Sequence, residues 1–218
     1  MNIDTVLRRI HEIGIIPVVR AANLDEARRA VDAICSGGIP VIEITMTVPN
    51  APQMIQELVK HYGDTVLTGA GTVTSAKQAE ICLDSGAQFM VSPGLSVPVL
   101  QTAAKRGIMA IPGILTPTEL MAALEAGANV IKVFPCGSAG GPKHIKALKA
   151  PFPATRLVPT GGVNLSNAVD YIAAGSFALG VGADLVDLAA LRKNEPAKIV
   201  EMAKALTEAV RQARLNKS

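Results

Sequence analysis

The sequence has few of the residues that mark nucleic-acid-binding, disulfide-rich or metal-binding proteins. It has no tryptophan and 3% aromatic residues, so stacking platforms for single-stranded nucleic acid are not expected. Its 21 lysines and arginines stand against 18 acidic residues without a basic run, which argues against a nucleic-acid partner. The three cysteines form no Cys-x-x-Cys pair, which favours free thiols in a cytoplasmic protein. The three histidines stand far apart, so no metal site is predicted.

Long apolar segments are also missing. The longest uncharged stretch, residues 85–104, is broken by Pro93, Gly94 and Pro98, so no membrane span is predicted. The first 14 residues mix charged and apolar side chains, so no signal peptide is expected. The chain of 218 residues is 49% hydrophobic and can bury a sizeable core, so we expect a single domain over residues 1–218.

Short apolar runs recur along the chain between alanine-rich segments with helical spacing. They predict strands at residues 15–19, 41–45, 65–67, 89–91, 109–111, 130–133, 157–158 and 177–181. Most of these runs are continuous rather than alternating, which is typical of parallel strands buried on both faces. Eight strands with a repeat of roughly 20 residues favour an α/β fold of the (β/α)₈ TIM-barrel class, with an N-terminal helix. A doubly wound open sheet is the alternative, although no complete G-x-G-x-x-G motif supports it.

Two charged residues stand inside otherwise apolar predicted strands, Glu43 and Lys132. A buried charge is costly, so each must be paired, neutral or facing a wet cavity. In a barrel, both side chains can point into the mouth at the C-terminal ends of the strands. A neutral lysine amine attacks a ketone and a nearby carboxylate moves protons, so the pair predicts Schiff-base chemistry. A structural ion pair is the alternative.

Glycine-rich segments follow the last two predicted strands. Gly161 and Gly162 come after one strand, and Gly182 and Ala183 come after the next. Many barrels bind phosphate at this position through backbone N–H groups, which glycine allows the anion to approach closely. We therefore expect a phosphate site there, with tight turns that close the barrel as the alternative.

Two further residues suit a substrate carboxylate. Arg20 ends the first predicted strand, where a guanidinium can hold a carboxylate with two hydrogen bonds. Thr72 lies in a predicted loop at residues 69–72 and carries a hydroxyl donor. A solvated arginine and a plain turn are the respective alternatives.

Seven motifs in chain order together resemble one family, the class I 2-keto-3-deoxy-6-phosphogluconate (KDPG) / 4-hydroxy-2-oxoglutarate (KHG) aldolases. The resemblance covers nearly the whole chain. The motifs are Ile16-Pro17-Val18-Val19-Arg20, Ile42-Glu43-Ile44-Thr45, Gly69-Ala70-Gly71-Thr72-Val73, Val91-Ser92-Pro93-Gly94, Ile111-Pro112-Gly113, Ile131-Lys132-Val133-Phe134-Pro135 and Pro159-Thr160-Gly161-Gly162-Val163.

The resemblance implies a homotrimeric (β/α)₈ barrel that needs no metal or other cofactor and acts on a small 2-oxo acid. By this resemblance Lys132 would be the Schiff-base lysine and Glu43 the general acid/base. Thr72 would bind the substrate carboxylate, and Pro93 and Phe134 would orient the lysine and the substrate. The positions of the phosphate site would be Gly161, Gly162, Gly182 and Ala183.

The chain departs from the family pattern at two positions. Some members carry an arginine four residues after the glutamate, where this chain has Thr47, so Arg20 is the candidate to replace part of that arginine's role at the substrate. Members also often have a serine at the position of Ala183. The missing hydroxyl predicts weaker binding of a phosphate, or tolerance of unphosphorylated substrates.

The expected reaction is cleavage of a 2-oxo acid to pyruvate and an aldehyde. The aldehyde would be glyceraldehyde 3-phosphate from KDPG, or glyoxylate from KHG. Two other interpretations stay open. In a phosphate-sugar isomerase or epimerase, Glu43 would abstract a proton and Lys132 would stabilise an enediolate. A non-catalytic trimer would bind a sugar acid without turnover.

Overall fold

The structure, a computed structural model, describes residues 1–216. Within these residues, strands and helices alternate after an N-terminal helix, as the sequence predicts. The strands are Ile15–Val19 (β1), Val41–Thr45 (β2), Leu67–Gly71 (β3), Phe89–Val91 (β4), Met109–Ile111 (β5), Gly113–Ile114 (β6), Ile131–Val133 (β7), Leu157–Pro159 (β8) and Leu179–Val181 (β9). The helices are Ile3–Ile13 (α1), Leu24–Ser36 (α2), Ala51–Tyr62 (α3), Ala76–Asp84 (α4), Val97–Lys105 (α5), Pro117–Glu125 (α6), Pro142–Lys149 (α7), Ala168–Ala173 (α8), Leu188–Arg192 (α9) and Ala197–Leu215 (α10), with a 3₁₀ helix at Gly137–Ala139.

The strands pair in parallel and form two sheets. Six of them lie in the order β5-β4-β3-β2-β1-β9, and three lie in the order β6-β7-β8. The sheets meet where β5 continues through Pro112 into β6, and where Thr160, just after β8, forms a parallel bridge with Gly180. The protein is therefore an α/β protein with parallel strands, and no helix of residues 1–216 is long and apolar enough to cross a membrane.

Helix ends follow the signals in the sequence. Thr116 begins α6 with a capping box, because its hydroxyl accepts the N–H of Glu119 while the Glu119 carboxylate accepts the N–H of Thr116. Six glycines lie between a helix and the next strand, and all six have positive φ, which ends a helix at low steric cost. They are Gly38, Gly63, Gly86, Gly107, Gly127 and Gly175.

The third strand lies further along the chain than predicted. It begins at Leu67 rather than at residue 65, and residues 69–71, predicted as a loop, belong to the strand. Glycine is a poor strand residue, which misled the sequence-based prediction. These glycines are required by their neighbours, because a Cβ on Gly69 would overlap the Phe89 ring and one on Gly71 would overlap the Glu43 carboxyl group.

The core lies on both sides of the strands. All residues of β1, β2, β3, β7 and β9 are buried, including the charged Glu43 and Lys132. The helices bury their apolar faces in the core, as Ile55 and Leu58 of α3 and Leu206 of α10 do. Covering both sheet faces in this way explains why the strands read as continuous apolar runs.

Candidate active site

The candidate site residues all lie in strands or directly after them. Because the strands are parallel, the residues that follow them lie at the same edge. Arg20, Thr47, Thr72, Pro93, Phe134, Gly161 and Gly182 follow β1, β2, β3, β4, β7, β8 and β9 in turn. Chemistry at the C-terminal edge of parallel strands is the general pattern in α/β proteins.

Glu43 is a buried carboxyl group in the middle of β2. It is 3% exposed, and among the described residues nothing donates a hydrogen bond to its Oε1 atom. A Cβ on Gly71 would stand 2.6 Å from Glu43 Cγ and would overlap the carboxyl group. The glycine of β3 therefore makes the space in which the buried carboxyl group lies.

Burial raises the pKa of Glu43, because the charged form loses its hydration. The positive charges of Lys132 and Arg20 act in the opposite direction and lower this pKa without cancelling the effect of burial. Both cations are therefore close enough to Glu43 to influence its ionisation. A carboxyl group with a raised pKa can hold and release a proton nearer neutral pH than an ordinary glutamate.

Lys132 lies in the middle of β7 and is 7% exposed. Its backbone N–H donates to the Pro112 carbonyl at 2.9 Å, which fixes the strand beside β6. The ammonium nitrogen lies 5.0 Å from the centroid of the Phe134 ring, within the range of a cation–π contact. The structure thus brings Lys132, Phe134 and the charge of Glu43 together, as the sequence predicted for the lysine and the acid.

Two threonines lie at the C-terminal end of the strand that carries Glu43: Thr45 is its last residue, and Thr47 follows two residues later. Thr45 is 1% exposed, and its hydroxyl lies 2.9 Å from that of Thr47, which is exposed. Thr47 stands where some family members carry an arginine, so this edge of the site has a short hydroxyl in place of a long cation. Thr72, directly after β3, has a φ of 59°, which is uncommon for a β-branched residue.

Pro93 holds the loop after β4 close to β6. A Cβ on Gly113 would overlap the Pro93 carbonyl and lie 2.7 Å from Gly94 N. The Gly113 N–H also donates to the Gly94 carbonyl at 3.3 Å. Glycine at position 113 is therefore what lets this loop approach the strand that pairs with the lysine strand.

The loop after β8 has the left-handed backbone expected of an anion-binding turn. Gly161 and Gly162 have φ values of 85° and 79°, which favour glycine. The Gly161 carbonyl accepts the N–H of Gly137 at 2.8 Å, and the Asn167 side chain donates to the Gly162 carbonyl at 2.8 Å. A Cβ on Gly161 would lie 3.3 Å from the Phe134 ring, so this loop lies beside the part of the site that holds Phe134 and Lys132, here called the lysine end.

The loop after β9 is close to a cation that the sequence does not place there. Gly182 is half-buried and Ala183 is exposed. Arg20 Nη1 lies 3.2 Å from the position that a Cβ on Gly182 would occupy. Sequence analysis assigned only backbone donors to this loop, because Arg20 is far away in the chain. It is brought near by the pairing of β1 with β9.

Some residues that were not predicted as site residues also shape the site, although they take no part in the proposed reaction. Gly71 makes room for Glu43, and a Cβ on Gly180 would overlap the Thr160 hydroxyl. The only available signal was glycine inside an apolar strand, which suggests close approach by another group. Among residues 1–216, no group of three His, Cys, Asp or Glu side chains could hold a metal ion.

Comparisons with known proteins agree on one family. Residues 4–202 match the family model described as "Aldolase: KDPG and KHG aldolase". The chain is 35% identical to the KHG/KDPG aldolase of Escherichia coli K12 over 92% of each chain. It is 39% identical to the 2-dehydro-3-deoxy-6-phosphogalactonate aldolase of the same strain over 80% of this chain and 85% of the relative.

Solved structures give the same result. KDPG aldolase from Legionella pneumophila, captured with pyruvate as a covalent carbinolamine, superposes with a TM-score of 0.86 at 32% identity. The match covers 92% of this chain and 97% of that one. With a family model and relatives that span most of its length, this chain belongs to the KDPG and KHG aldolase family.

Proposed function

We propose that this protein is a class I aldolase that cleaves a 4-hydroxy-2-oxo acid to pyruvate and an aldehyde. The observation that carries the proposal is the buried amine of Lys132 in a site where its charge also acts on the buried carboxyl group of Glu43. The covalent pyruvate carbinolamine in the Legionella relative supports the same chemistry. The names of the relatives point to KDPG, KHG and closely related 2-oxo acids as substrates.

In the proposed reaction, the unprotonated Lys132 amine attacks C2 of the substrate and forms a carbinolamine. Glu43 donates the proton with which the C2 hydroxyl leaves as water, and a protonated imine results. The C3–C4 bond then breaks, and its electron pair moves to the imine nitrogen. The Glu43 carboxylate, now deprotonated, takes up the C4 hydroxyl proton, directly or through a water, as the aldehyde leaves. Glu43 protonates C3 of the remaining enamine, and water releases pyruvate and the free amine.

The surrounding residues hold the substrate in this scheme. Thr72 binds the carboxylate of the 2-oxo acid, and Arg20 adds a positive charge between Glu43 and Gly182. Pro93 and Phe134 orient the lysine and the substrate, with the Phe134 ring against the amine. Thr47 takes the place of a larger cation.

A phosphate on the far end of the substrate binds to main-chain N–H groups. The loops at Gly161, Gly162, Gly182 and Ala183 form this end, and glycine allows the anion to approach the backbone. Ala183 offers no hydroxyl, so phosphorylated and unphosphorylated substrates differ less in affinity than a serine at this position would allow.

The proposal includes the assembly of the chain. The two sheets close into one (β/α)₈ barrel through the β5–β6 continuation and the Thr160–Gly180 bridge, and residues 1–218 form a single domain. We further propose a homotrimer in the cytoplasm, as the family resemblance and the free cysteines favour.

Borohydride reduction in the presence of pyruvate tests the mechanism. A pyruvate adduct located on Lys132 by mass spectrometry is the expected result, and Lys132→Ala should lose both the adduct and pyruvate release. The exposed Lys77→Ala on α4 is the matched control and should keep both. An adduct that is absent or on another lysine contradicts the mechanism.

The same assays separate the alternatives. An isomerase or epimerase would convert a sugar phosphate without forming a borohydride-sensitive pyruvate adduct. A binding protein would retain a 2-oxo acid but release no pyruvate to lactate dehydrogenase. Either result would contradict the proposal that the protein is an aldolase.

A further inference from the structure

A partly buried ion pair connects two elements beside the phosphate end of the site. The Glu26 side chain, on α2, is 9% exposed, and its Oε1 accepts the Arg192 Nε–H at 2.6 Å. Arg192, the last residue of α9, also donates from Nη2 to Glu26 Oε2 at 3.3 Å. The second carboxylate oxygen accepts the backbone N–H of Ala22 at 2.6 Å. One carboxylate therefore joins the β1–α2 loop to α9.

Burial raises the pKa of Glu26, but the hydrogen bonds from Ala22 and Arg192 outweigh it, and the net pKa is lowered. The carboxylate is thus charged at neutral pH, and the pair has the geometry of a two-point charge-assisted contact. A second tie runs alongside it. Arg29, one turn further along α2, donates to the Leu191 carbonyl at 2.7 Å and to the Asn194 side chain at 3.3 Å.

The helix that this pair holds is too short to position itself. α9 has five residues, and isolated helices shorter than about 12 residues are marginal in water. Its place must come from tertiary contacts, which are the burial of Ala190 and Leu191 and the ties from α2 at its C-terminal end. α9 follows directly on the loop that carries Gly182 and Ala183, so its position determines where that loop ends.

The backbone hydrogen bond that Glu26 accepts lies close to Arg20 in the chain. Ala22, whose N–H Glu26 accepts, lies two residues after Arg20 in the same loop. The Arg20 guanidinium lies against Gly182, across the β1–β9 pairing. The carboxylate thus joins the loop that carries Arg20, through the Ala22 N–H, to the helix that follows the Gly182 loop, through Arg192.

We propose that Glu26 and Arg192 are positioning residues that hold the Arg20 guanidinium against the Gly182 loop and so set the affinity for the phosphorylated end of the substrate. The inference rests on the proposed function and deepens it. The pair touches neither Lys132 nor Glu43, so it acts on substrate affinity and leaves the covalent step to the buried end of the site.

The test compares Arg192→Gln and Glu26→Gln with the unaltered protein on two substrates, KDPG and the unphosphorylated KHG. Arg192 is exposed, so its variant keeps the core intact, and glutamine preserves an acceptor for Ala22 in the second variant. For both variants we expect KM for KDPG to rise about five- to tenfold, the equivalent of one hydrogen bond, with kcat within twofold. KM for KHG should stay within twofold.

A matched control and a third readout complete the experiment. Glu80→Gln breaks an exposed ion pair of 3.3 Å between α4 and Arg106, outside these loops, and should leave both KM values unchanged. Reduction with pyruvate and borohydride should label Lys132 equally in all four proteins, whereas loss of labelling in the unaltered protein would contradict the proposed function instead. Unchanged KM for KDPG, or equal changes on both substrates, overturns the positioning role.

Discussion

The two ends of the candidate site are built in different ways. At the lysine end, the proposed reactive groups are the side chains of Glu43 and Lys132, which are 3% and 7% exposed. At the phosphate end, the proposed binding groups are main-chain N–H groups, and Gly161 and Gly162, both with positive φ, are half-buried and exposed. Glycine serves both ends, but for different reasons.

At the lysine end, glycine supplies space. Gly71 has ordinary strand geometry, and its role is to have no Cβ where the Glu43 carboxyl group lies. At the phosphate end, glycine supplies conformation, because φ values near 80° are costly for other residues. We therefore expect the activity to be sensitive to a single methyl group added at the buried end. The exposed end should respond in smaller steps, mainly through substrate affinity.

The largest effect is expected from removing the acid at the buried end. Glu43→Gln keeps the size of the side chain but removes its proton transfer, so kcat/KM should fall by about 10²- to 10⁴-fold. Pyruvate release coupled to lactate dehydrogenase measures the rate. Glu57→Gln, on an exposed pair with Arg28, is the control and should stay within twofold. Equal rates for Glu43→Gln and the unaltered protein would remove Glu43 from the chemistry.

A smaller effect is expected when the acid is kept and its space is taken away. In Gly71→Ala the new Cβ overlaps the Glu43 carboxyl group and displaces it, so kcat should fall about 10- to 100-fold with the lysine still present. The same kinetic assay and borohydride labelling of Lys132 measure the two steps. Gly94→Ala adds a methyl group in open space and should have little effect. If both alanine variants behave alike, the space at position 71 is not what the acid needs.

The buried carboxyl group should also make the free energy of unfolding depend on pH. The pKa of Glu43 is raised in the folded protein, so between the unfolded and folded pKa values the folded state holds a proton that the unfolded state has released. The stability of the unaltered protein therefore falls as pH rises through this interval, relative to Glu43→Gln, which does not titrate. Urea unfolding of both proteins from pH 4 to pH 8 measures the difference. A constant difference across this range would contradict the raised pKa.

The sequence predicted the reactive pair because each member is a charge inside an apolar strand. That signal is local, since Glu43 and Lys132 each contrast with their own neighbours. The alternation of strands and helices and the glycines that end helices were predictable for the same reason. Family resemblance added the roles of residues such as Pro93, which have no local signal.

Features that depend on partners far along the chain were not predictable. The C-terminal half of β3 was predicted as a loop because glycine is typical of turns, and the carboxyl group that requires Gly71 lies on another strand. Arg20 was assigned to a carboxylate, and its contact with Gly182 emerges only when β1 pairs with β9 at registers such as Ile16 with Gly180. The pairing of β1 with β9 joins segments far apart in the chain, and neither segment has a sequence pattern that predicts its partner.

The smallest effect is expected from adding a side chain at the exposed end. Ala183→Ser places a hydroxyl donor in the loop next to Gly182, where the proposed phosphate site otherwise has main-chain donors and the Arg20 guanidinium. One added hydrogen bond should lower KM for KDPG about two- to tenfold and leave kcat unchanged. KM for KHG should not change, because this substrate has no phosphate to accept the bond. Equal tightening on both substrates would place residue 183 near the shared 2-oxo acid group, and the two ends of the site would then not be separate.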